Sequence, residues 1–185
     1  MQKICFIYWN IQQMKTLKCN LIDLLDQKFL CKKDVFEEKN NQVKMTVPIV
    51  VDNVQYVLCS FDIQWEKGSA GLFPFFTKKE KNHKICDYIM FCILNNQMYV
   101  LLVELKKGSE KVTDQLAAGE CFAKFIVDTL NRVKEKNYSP VIRKIAIRDK
   151  HLRLKPTTQM KNVEYDESGF YTFRGSKFYV KQFLK

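Results

Sequence analysis

Cys86 to Gly108 reads CDYIMFCILNNQMYVLLVELKKG, and the fold is organised around this stretch. Two apolar runs, 87–94 and 97–105, flank the pair Asn95-Asn96. Asparagine tolerates the positive φ that both central residues of a tight two-residue hairpin turn adopt. The stretch therefore predicts a β-hairpin whose strands are joined at the two asparagines.

The predicted turn also fixes which residues face one another. Leu94 must lie opposite Gln97. Counting back along both strands from that pair brings Asp87 opposite Glu104, and directly opposed residues have Cβ atoms about 5 Å apart. Lys106 is two residues beyond Glu104 and shares its face. We therefore expect two carboxylates and one ammonium group to converge at one end of an otherwise apolar hairpin.

A pair of opposed carboxylates at the margin of a core requires a compensating cation. A lysine supplies one positive charge, and a divalent ion such as Mg²⁺, which prefers oxygen ligands, supplies more. His83 and His151 are the only histidines and no CxxC pair occurs. The sequence therefore offers few ligands for a zinc site and few residues for a histidine-based nucleophile. Any metal would be held by oxygen.

Length and charge limit the class of protein. The 185 residues, 46% of them hydrophobic, suffice for one domain with a sizeable core. The formal net charge of +11 favours an anionic partner, either nucleic acid or an acidic membrane surface, and we favour nucleic acid. No segment approaches the roughly 20 apolar residues of a membrane span, so we expect no membrane-spanning segment.

The cysteines indicate the compartment. They are seven in number, scattered, and mostly set within apolar runs. This pattern is typical of buried free thiols in a reducing compartment. We therefore expect a cytoplasmic protein.

Hydrophobic periodicity and turn residues predict the other elements. In chain order these are an amphipathic helix over 17–36, strands over 45–51 and 54–61 joined as a hairpin around Asp52-Asn53, a long loop over 64–84, a helix over 111–134, a strand over 143–148, and a C-terminal β-meander over 163–185. A right-handed crossover through the second helix would place strand 143–148 parallel to the Glu104 strand. Both faces of the central hairpin are apolar, which predicts cover on both sides of the sheet.

Three further positions could belong to the same site as the hairpin carboxylates. Gln115 lies at the edge of the apolar stripe of the second helix and could point at the carboxylates. Glu37 and Glu38 follow the first predicted helix, in a segment that ends in the loop marked by Asn40-Asn41. We interpret them as solvated surface charges, with an active-site acid as the alternative.

Two segments are candidates for contact with nucleic acid. The loop over 64–84 combines three phenylalanines with five lysines, a composition that can hold a strand by base stacking and phosphate contacts. The alternative is that the phenylalanines fix the loop onto the core. Segment 143–155 is the densest basic stretch, and we interpret it as a phosphate-contacting surface. The alternative interpretation is a solvated strand face. The expected phosphate-contacting residues are Lys78, Lys79, Lys107, Arg143, Lys144, Arg148, Lys150 and Arg153.

An acidic residue that opens one strand, a Glu-x-Lys motif that closes the next, and a following helix that carries Gln resemble the PD-(D/E)xK nuclease superfamily. Asp87 and the run Glu104-Leu105-Lys106 match this pattern, and Gly108 stands where such motifs often continue. The resemblance covers about 86–133 and extends to Arg148 through the strand–helix–strand order. Cys86 occupies the place of the namesake proline, which is not a ligand.

The resemblance implies a restriction-endonuclease-like α/β fold, in which a mixed β-sheet is flanked by helices and followed by the small C-terminal β-meander. A single domain over 1–185 would have its core at about 45–150, with an N-terminal helical segment over 1–44 and a C-terminal β extension over 156–185.

The resemblance also implies metal-dependent hydrolysis of phosphodiester bonds in DNA or RNA. Asp87 and Glu104 would hold one or two Mg²⁺ or Mn²⁺ ions, with the backbone carbonyl of Leu105 as a further ligand. Lys106 would orient or help deprotonate a water, and Gln115 would position Lys106 or the substrate. An acid from the N-terminal segment often completes such sites, and Glu38 or Glu37 is the candidate.

Three functions remain open at the level of sequence. The first is a small endonuclease, for example of a defence, CRISPR-associated or mobile-element system, in which a homodimer is one option. The second is a catalytically inactive nucleic-acid-binding module with the same fold. The third is a regulatory subunit whose basic face meets an acidic protein partner.

Overall fold

The structure, a computed structural model, describes residues 17–38, 45–61, 72–77, 82–108, 110–148 and 163–185. Helix α1 covers residues 17–24 and helix α2 covers Thr113–Lys134. The described strands are β1 (Val35–Glu38), β2 (Met45–Val50), β3 (Gln55–Cys59), β4 (Tyr88–Leu94), β5 (Gln97–Lys106), β6 (Val141–Arg148), β7 (Phe170–Phe173) and β8 (Phe178–Tyr179).

The central hairpin forms in the predicted register. Asn95 and Asn96 have φ of 49° and 64°, the two positive values that a tight turn with the twist of the flanking strands requires. Leu94 pairs with Gln97, and at the other end of β4 Tyr88 pairs with Val103. The turn chemistry thus sets the pairing of every residue along both strands.

Five strands form the main sheet, in the order β3-β4-β5-β6-β7. Strand β4 is antiparallel to both of its neighbours, β3 and β5, whereas β6 is parallel to β5 and β7 is parallel to β6. Helix α2 connects β5 to β6, so the predicted crossover is confirmed. The helix begins two residues later than predicted, at Thr113, and β6 begins two residues earlier, at Val141.

The two faces of this sheet are covered by different layers. One face packs against α1 and α2, with side chains such as Ile89 and Phe91 in the shared core. The other face contributes Met90 and Cys92 to a second core, which the three-stranded sheet β1-β2-β8 covers. Cover on both sides is confirmed, with helices on one face and a second sheet on the other. The chain has a mixed α/β architecture with one helical layer and one β layer.

Helix α2 buries the stripe that its periodicity predicts. The buried residues are Leu116, Gly119, Ala123, Ile126, Val127 and Leu130. Gly119 is required by close approach, because a Cβ at this position would lie well inside van der Waals contact with the Sγ atom of Cys86. The glycine therefore allows α2 to pack directly against the residue that precedes Asp87.

The first helix is shorter than predicted and ends at residue 24. The Asp26 side chain accepts a hydrogen bond from the Lys28 backbone and starts a 3₁₀ turn over Gln27–Phe29. The Cys31 amide then donates to the carbonyl of Leu58, and the chain continues extended into β1. Glu37 and Glu38 therefore lie in a strand rather than in a loop after a helix.

The predicted hairpin between 45–51 and 54–61 is wrong, although both strands exist. Strand β2 pairs with β1 and β8, whereas β3 pairs with β4. The turn residue Asn53 has a positive φ of 53°, but the chain there passes from one sheet to the other. The burial patterns explain this, because β2 is buried on alternate residues and β3 on three consecutive ones.

The predicted C-terminal meander is also wrong in its pairing. Strand β7 joins the edge of the main sheet beside β6, and β8 pairs in parallel with β2. The rings of Phe173 and Phe178 contact each other at 5.4 Å between the two sheets. These aromatic side chains pack between the two layers and link them. A local hairpin would not place the rings there.

Outside the strands and helices, residues 72–77 and 82–86 are irregular, which agrees with the predicted loop, and 62–71 and 78–81 lie outside the described residues. The described helices include none with the length and apolarity to span a membrane. The six described cysteines are free; Cys59, Cys86 and Cys92 are buried as expected, but Cys19 and Cys121 are exposed.

Candidate active site

Asp87 and Glu104 are joined by reciprocal hydrogen bonds where β4 begins and β5 ends. The backbone N–H of Asp87 donates to Oε2 of Glu104 at 3.2 Å. In return, the backbone N–H of Leu105 donates to Oδ2 of Asp87 at 2.6 Å. Each carboxylate thus accepts a hydrogen bond from the strand that carries the other, and the structure holds the two acidic groups side by side.

Lys106 completes the group. Its Nζ atom lies 3.2 Å from Oε1 of Glu104, on the same face of β5. Glu104 is only 2% exposed and is the one buried polar or charged residue in the part of the chain that the structure describes. We call Asp87, Glu104 and Lys106 the acidic corner. A buried carboxylate of this kind is costly unless it is paired or binds a cation.

The electrostatics of the acidic corner follow from burial and from the two neighbouring acids. Burial, and then the nearby Asp87 carboxylate, raise the pKa of Glu104 to about 7 against the opposing effect of Lys106. Burial alone would lower the pKa of Lys106, but the Glu104 and Asp87 carboxylates outweigh it and the pKa is raised. One lysine is therefore present as a cation, and it does not fully offset the two carboxylates.

The donor atoms at the acidic corner are hard oxygens, which suit Mg²⁺ or Mn²⁺. In an extended strand the N–H and C=O of one residue point to the same neighbouring strand. Because the Leu105 N–H points to Asp87, the Leu105 carbonyl points to the same side of β5. Burial, followed by Glu104 and Asp87, raises the pKa of the Cys86 thiol, which therefore stays neutral and adds no charge.

The described residues contain no group of three or more His, Cys, Asp or Glu side chains placed to hold a metal ion. A divalent cation at the acidic corner would therefore have two carboxylates and the Leu105 carbonyl as protein ligands, with water for the rest. This number of ligands fits Mg²⁺, which usually keeps several waters when bound to protein.

Glu37 and Glu38 do not join the acidic corner. Leu102 and Ala146, which lie beside Glu104 on its face, belong to the core under α2. Strand β1 lies in the layer on the opposite face, where the backbone of Glu37 exchanges hydrogen bonds with the Tyr88 hydroxyl. Oε2 of Glu38 is buried there without a hydrogen bond among the described residues. Which layer β1 enters could not be read from the sequence.

Gln115 lies on α2, one turn before Gly119 and on the same face. It is half-buried, at the end of the helix that approaches the acidic corner through the Gly119–Cys86 contact. The hydrogen bonds given by the described residues do not connect it to Glu104 or Lys106.

Among the predicted basic residues that the structure describes, Arg148 is the one that pairs beside the acidic corner. It pairs with Lys106 in the parallel register of β5 and β6. Its guanidinium donates to the carbonyl of Gly108 at 2.6 Å and to that of Glu110 at 2.8 Å. Arg148 therefore braces the segment that follows Lys106. Lys107, which follows the end of β5, is half-buried.

Two other predicted phosphate-contacting residues, Arg143 and Lys144, lie nearer the start of β6, and both have intramolecular partners. Arg143 donates to the carbonyl of Lys185 at 2.9 Å and lies over the ring of Tyr165 at 4.5 Å. The ammonium group of Lys144 is 2.7 Å from Glu120. Lys78, Lys79, Lys150 and Arg153 lie outside the described residues.

One surface feature escaped the sequence reasoning. Phe125 is 65% exposed on α2, and it stacks on Phe122, which in turn contacts Phe73 of the loop before β4. The available signal was a phenylalanine outside the apolar stripe of an amphipathic helix.

Comparison of the chain with protein-family models gave no match. A search of curated proteins gave none either, and neither did a search of solved structures. The functional argument therefore rests on the geometry of the acidic corner and on the residues that form it.

Proposed function

We propose that this protein is a metal-dependent nuclease that hydrolyses phosphodiester bonds of DNA or RNA, built on a restriction-endonuclease-like domain. The observation that carries the proposal is the interlocked Asp87–Glu104 pair with Lys106 at 3.2 Å from Glu104. The order of a β-hairpin, a crossover helix and a parallel strand supports the same proposal, since the resemblance to the PD-(D/E)xK superfamily depends on that order.

Asp87, Glu104 and the Leu105 carbonyl would hold one or two Mg²⁺ or Mn²⁺ ions. When bound, such an ion supplies positive charge against the phosphate and lowers the pKa of a bound water. The two backbone hydrogen bonds between the strands fix both carboxylates before any ligand arrives, which reduces the cost of reorganising them. The buried position of Glu104 limits competition from bulk water.

Lys106 would act on the water or on the phosphate. Its Nζ atom is 3.2 Å from Glu104, and its side chain is 23% exposed, so it contacts both the carboxylate and solvent. A lysine held in this way can orient a water by hydrogen bonding and stabilise negative charge that develops on a phosphate oxygen. The net charge of +11 supports a polyanionic substrate.

The test is cleavage by the full chain with Mg²⁺ or Mn²⁺ on single- and double-stranded DNA and RNA. Glu104→Gln and Lys106→Met should each lower the rate at least about 100-fold, in line with losing a group that acts in the transition state. Lys28→Met is the matched control, because Lys28 forms an exposed lysine–carboxylate pair with Asp26 outside the acidic corner, and it should leave the rate unchanged. Equal cleavage by wild type and Glu104→Gln would contradict the proposal.

The second candidate function is a nucleic-acid-binding module without catalysis. It is favoured by the presence of only two acids at the acidic corner within the described residues. Under this alternative, binding would weaken with salt and no substrate would be turned over with either metal. Any metal-dependent cleavage that Glu104→Gln abolishes would exclude it.

A further inference from the structure

Three phenylalanines on one side of the molecule are exposed to solvent. The exposed fractions are 75% for Phe75, 49% for Phe76 and 65% for Phe125. Single exposed apolar side chains are ordinary, but a group of large ones usually marks a binding surface. We call Phe75, Phe76 and Phe125 the phenylalanine platform.

The rings of the phenylalanine platform are anchored to partly buried aromatic side chains that pack against the core under α2. Phe73 contacts Phe75 at 6.4 Å and Phe76 at 5.8 Å, measured between ring centroids. Phe73 also contacts Phe122 of α2 at 5.4 Å, and Phe122 stacks on Phe125 at 6.4 Å with an interplanar angle of 21°. These contacts join the loop rings and the helix ring into one surface, which lowers the cost of ordering them on binding.

Helix α2 links the phenylalanine platform to the acidic corner. It packs against Cys86, the residue before Asp87, at Gly119. Phe122 follows Gly119 by three residues and Phe125 by six, which corresponds to about 4.5 Å and 9 Å along the helix axis. A strand lying over the exposed rings could therefore continue towards Glu104 without crossing the molecule.

The charges beside the phenylalanine platform suit a polyanion on the side that faces the acidic corner. Lys124 lies between Phe122 and Phe125, and its side chain is 56% exposed. Glu120, the acid on this turn, is matched by Lys124 and Lys144. Asp128 lies one turn beyond Phe125, at the end away from the acidic corner. Together with the net charge of +11, this distribution favours nucleic acid over an acidic or neutral protein surface.

We propose that the phenylalanine platform stacks against unpaired bases, so that the substrate of the acidic corner is single-stranded nucleic acid or a single-stranded end. The choice of ligand rests on the proposed nuclease function. Unpaired bases offer their flat faces to aromatic side chains, whereas a duplex covers those faces by its own stacking. Stacking of this kind tolerates any base sequence.

The experiment measures binding in the presence of a chelator, so that cleavage does not intervene. Fluorescence anisotropy of the full chain would compare a labelled oligo(dT), an abasic strand of the same length, and a duplex. The wild type should bind oligo(dT) more tightly than the abasic strand, which keeps the phosphates and lacks the bases. Phe75→Ser and Phe125→Ser should each weaken binding to oligo(dT) roughly tenfold, and binding to the abasic strand little.

Two further variants control for folding and for apolar surface. Phe125→Tyr keeps a stacking ring and should bind oligo(dT) as the wild type does. Val133→Ser removes a 49% exposed apolar side chain from the same helix, without an aromatic ring, and should change nothing.

Equal affinity of the wild type for oligo(dT) and the abasic strand, or unchanged affinity in both serine variants, would overturn the stacking proposal. Absence of cleavage on every substrate would overturn the nuclease function instead, and the comparison of base-bearing with abasic strands does not depend on it.

Discussion

Glu104 is the buried carboxylate of the acidic corner, and its burial makes a prediction that needs no substrate. The pKa of Glu104 is raised to about 7 in the folded chain, above the value near 4.3 of an unfolded one. Between these values the folded state binds more protons than the unfolded state. The contribution of Glu104 to stability is therefore full at low pH and is lost as the pH rises through this window.

The corresponding variant is Glu104→Gln, which cannot ionise. The free energy of unfolding of the wild type, relative to the variant, should fall by about 3 kcal/mol between about pH 4 and pH 8 in chelator. Urea denaturation of both proteins across this range measures it. Taking the difference cancels Asp26, Glu120 and Asp166, whose lowered pKa values give the opposite trend in both proteins. A pH-independent difference would show that folding does not raise the pKa of Glu104.

At the scale of elements, the close packing of α2 on the main sheet depends on one glycine. Alanine at position 119 would gain about 1 kcal/mol of helix propensity, but its Cβ would meet the Sγ atom of Cys86. We expect Gly119→Ala to destabilise the protein by about 1–3 kcal/mol, the usual cost of overpacking. Urea denaturation would measure the change.

A double-mutant cycle identifies the cause. Adding Cys86→Ala removes the sulfur atom that meets the new methyl group, so the combined variant should recover part of the loss and show a favourable coupling energy. Ala117→Ser, on the exposed face of the same helix, is the control and should cost little. Simple additivity of the two substitutions would mean that the contact does not limit how closely α2 approaches.

The elements that sequence reasoning predicted correctly are those whose geometry is decided within a few neighbouring residues. The Asn95-Asn96 turn dictates its hairpin, because both asparagines accept the positive φ and the strands adjoin. Asp52-Asn53 gives a similar local signal for a hairpin, but the strands on either side of it do not pair with each other. There the choice of partner depends on which buried faces fit together across the molecule, and no local pattern reports that fit.

The same distinction separates the residues of the candidate site. Asp87, Glu104 and Lys106 follow from the register of one hairpin and could be placed from the sequence. The position of Glu38 depends on the layer that β1 enters, which long-range packing decides. The phenylalanine platform needed the contact between a loop and a helix about 50 residues apart, and sequence periodicity carries no information on such contacts.

At the scale of the whole molecule, the C-terminal segment joins the two sheets. Strand β7 belongs to the five-stranded sheet and β8 to the three-stranded sheet, only a few residues apart. The buried ring of Phe178 contacts Phe36 of β1 at 5.1 Å and Phe173 of β7 at 5.4 Å, and it stacks on Phe183 at 4.0 Å. Because one side chain packs against both layers, we expect the layers to unfold together.

Phe178→Ala tests this expectation. Removing a fully buried phenylalanine should cost about 3–5 kcal/mol, a large part of the stability of an ordinary domain. Phe76→Ala is the matched control, since the same change at a half-exposed ring should cost far less. Urea unfolding followed by circular dichroism, together with hydrogen exchange at the amides of β4 and β5, should give one coincident transition at a lower urea concentration. Protection that persists in β4 and β5 after β1 and β2 have exchanged would mean that the five-stranded sheet, which carries the acidic corner, is stable without its β cover.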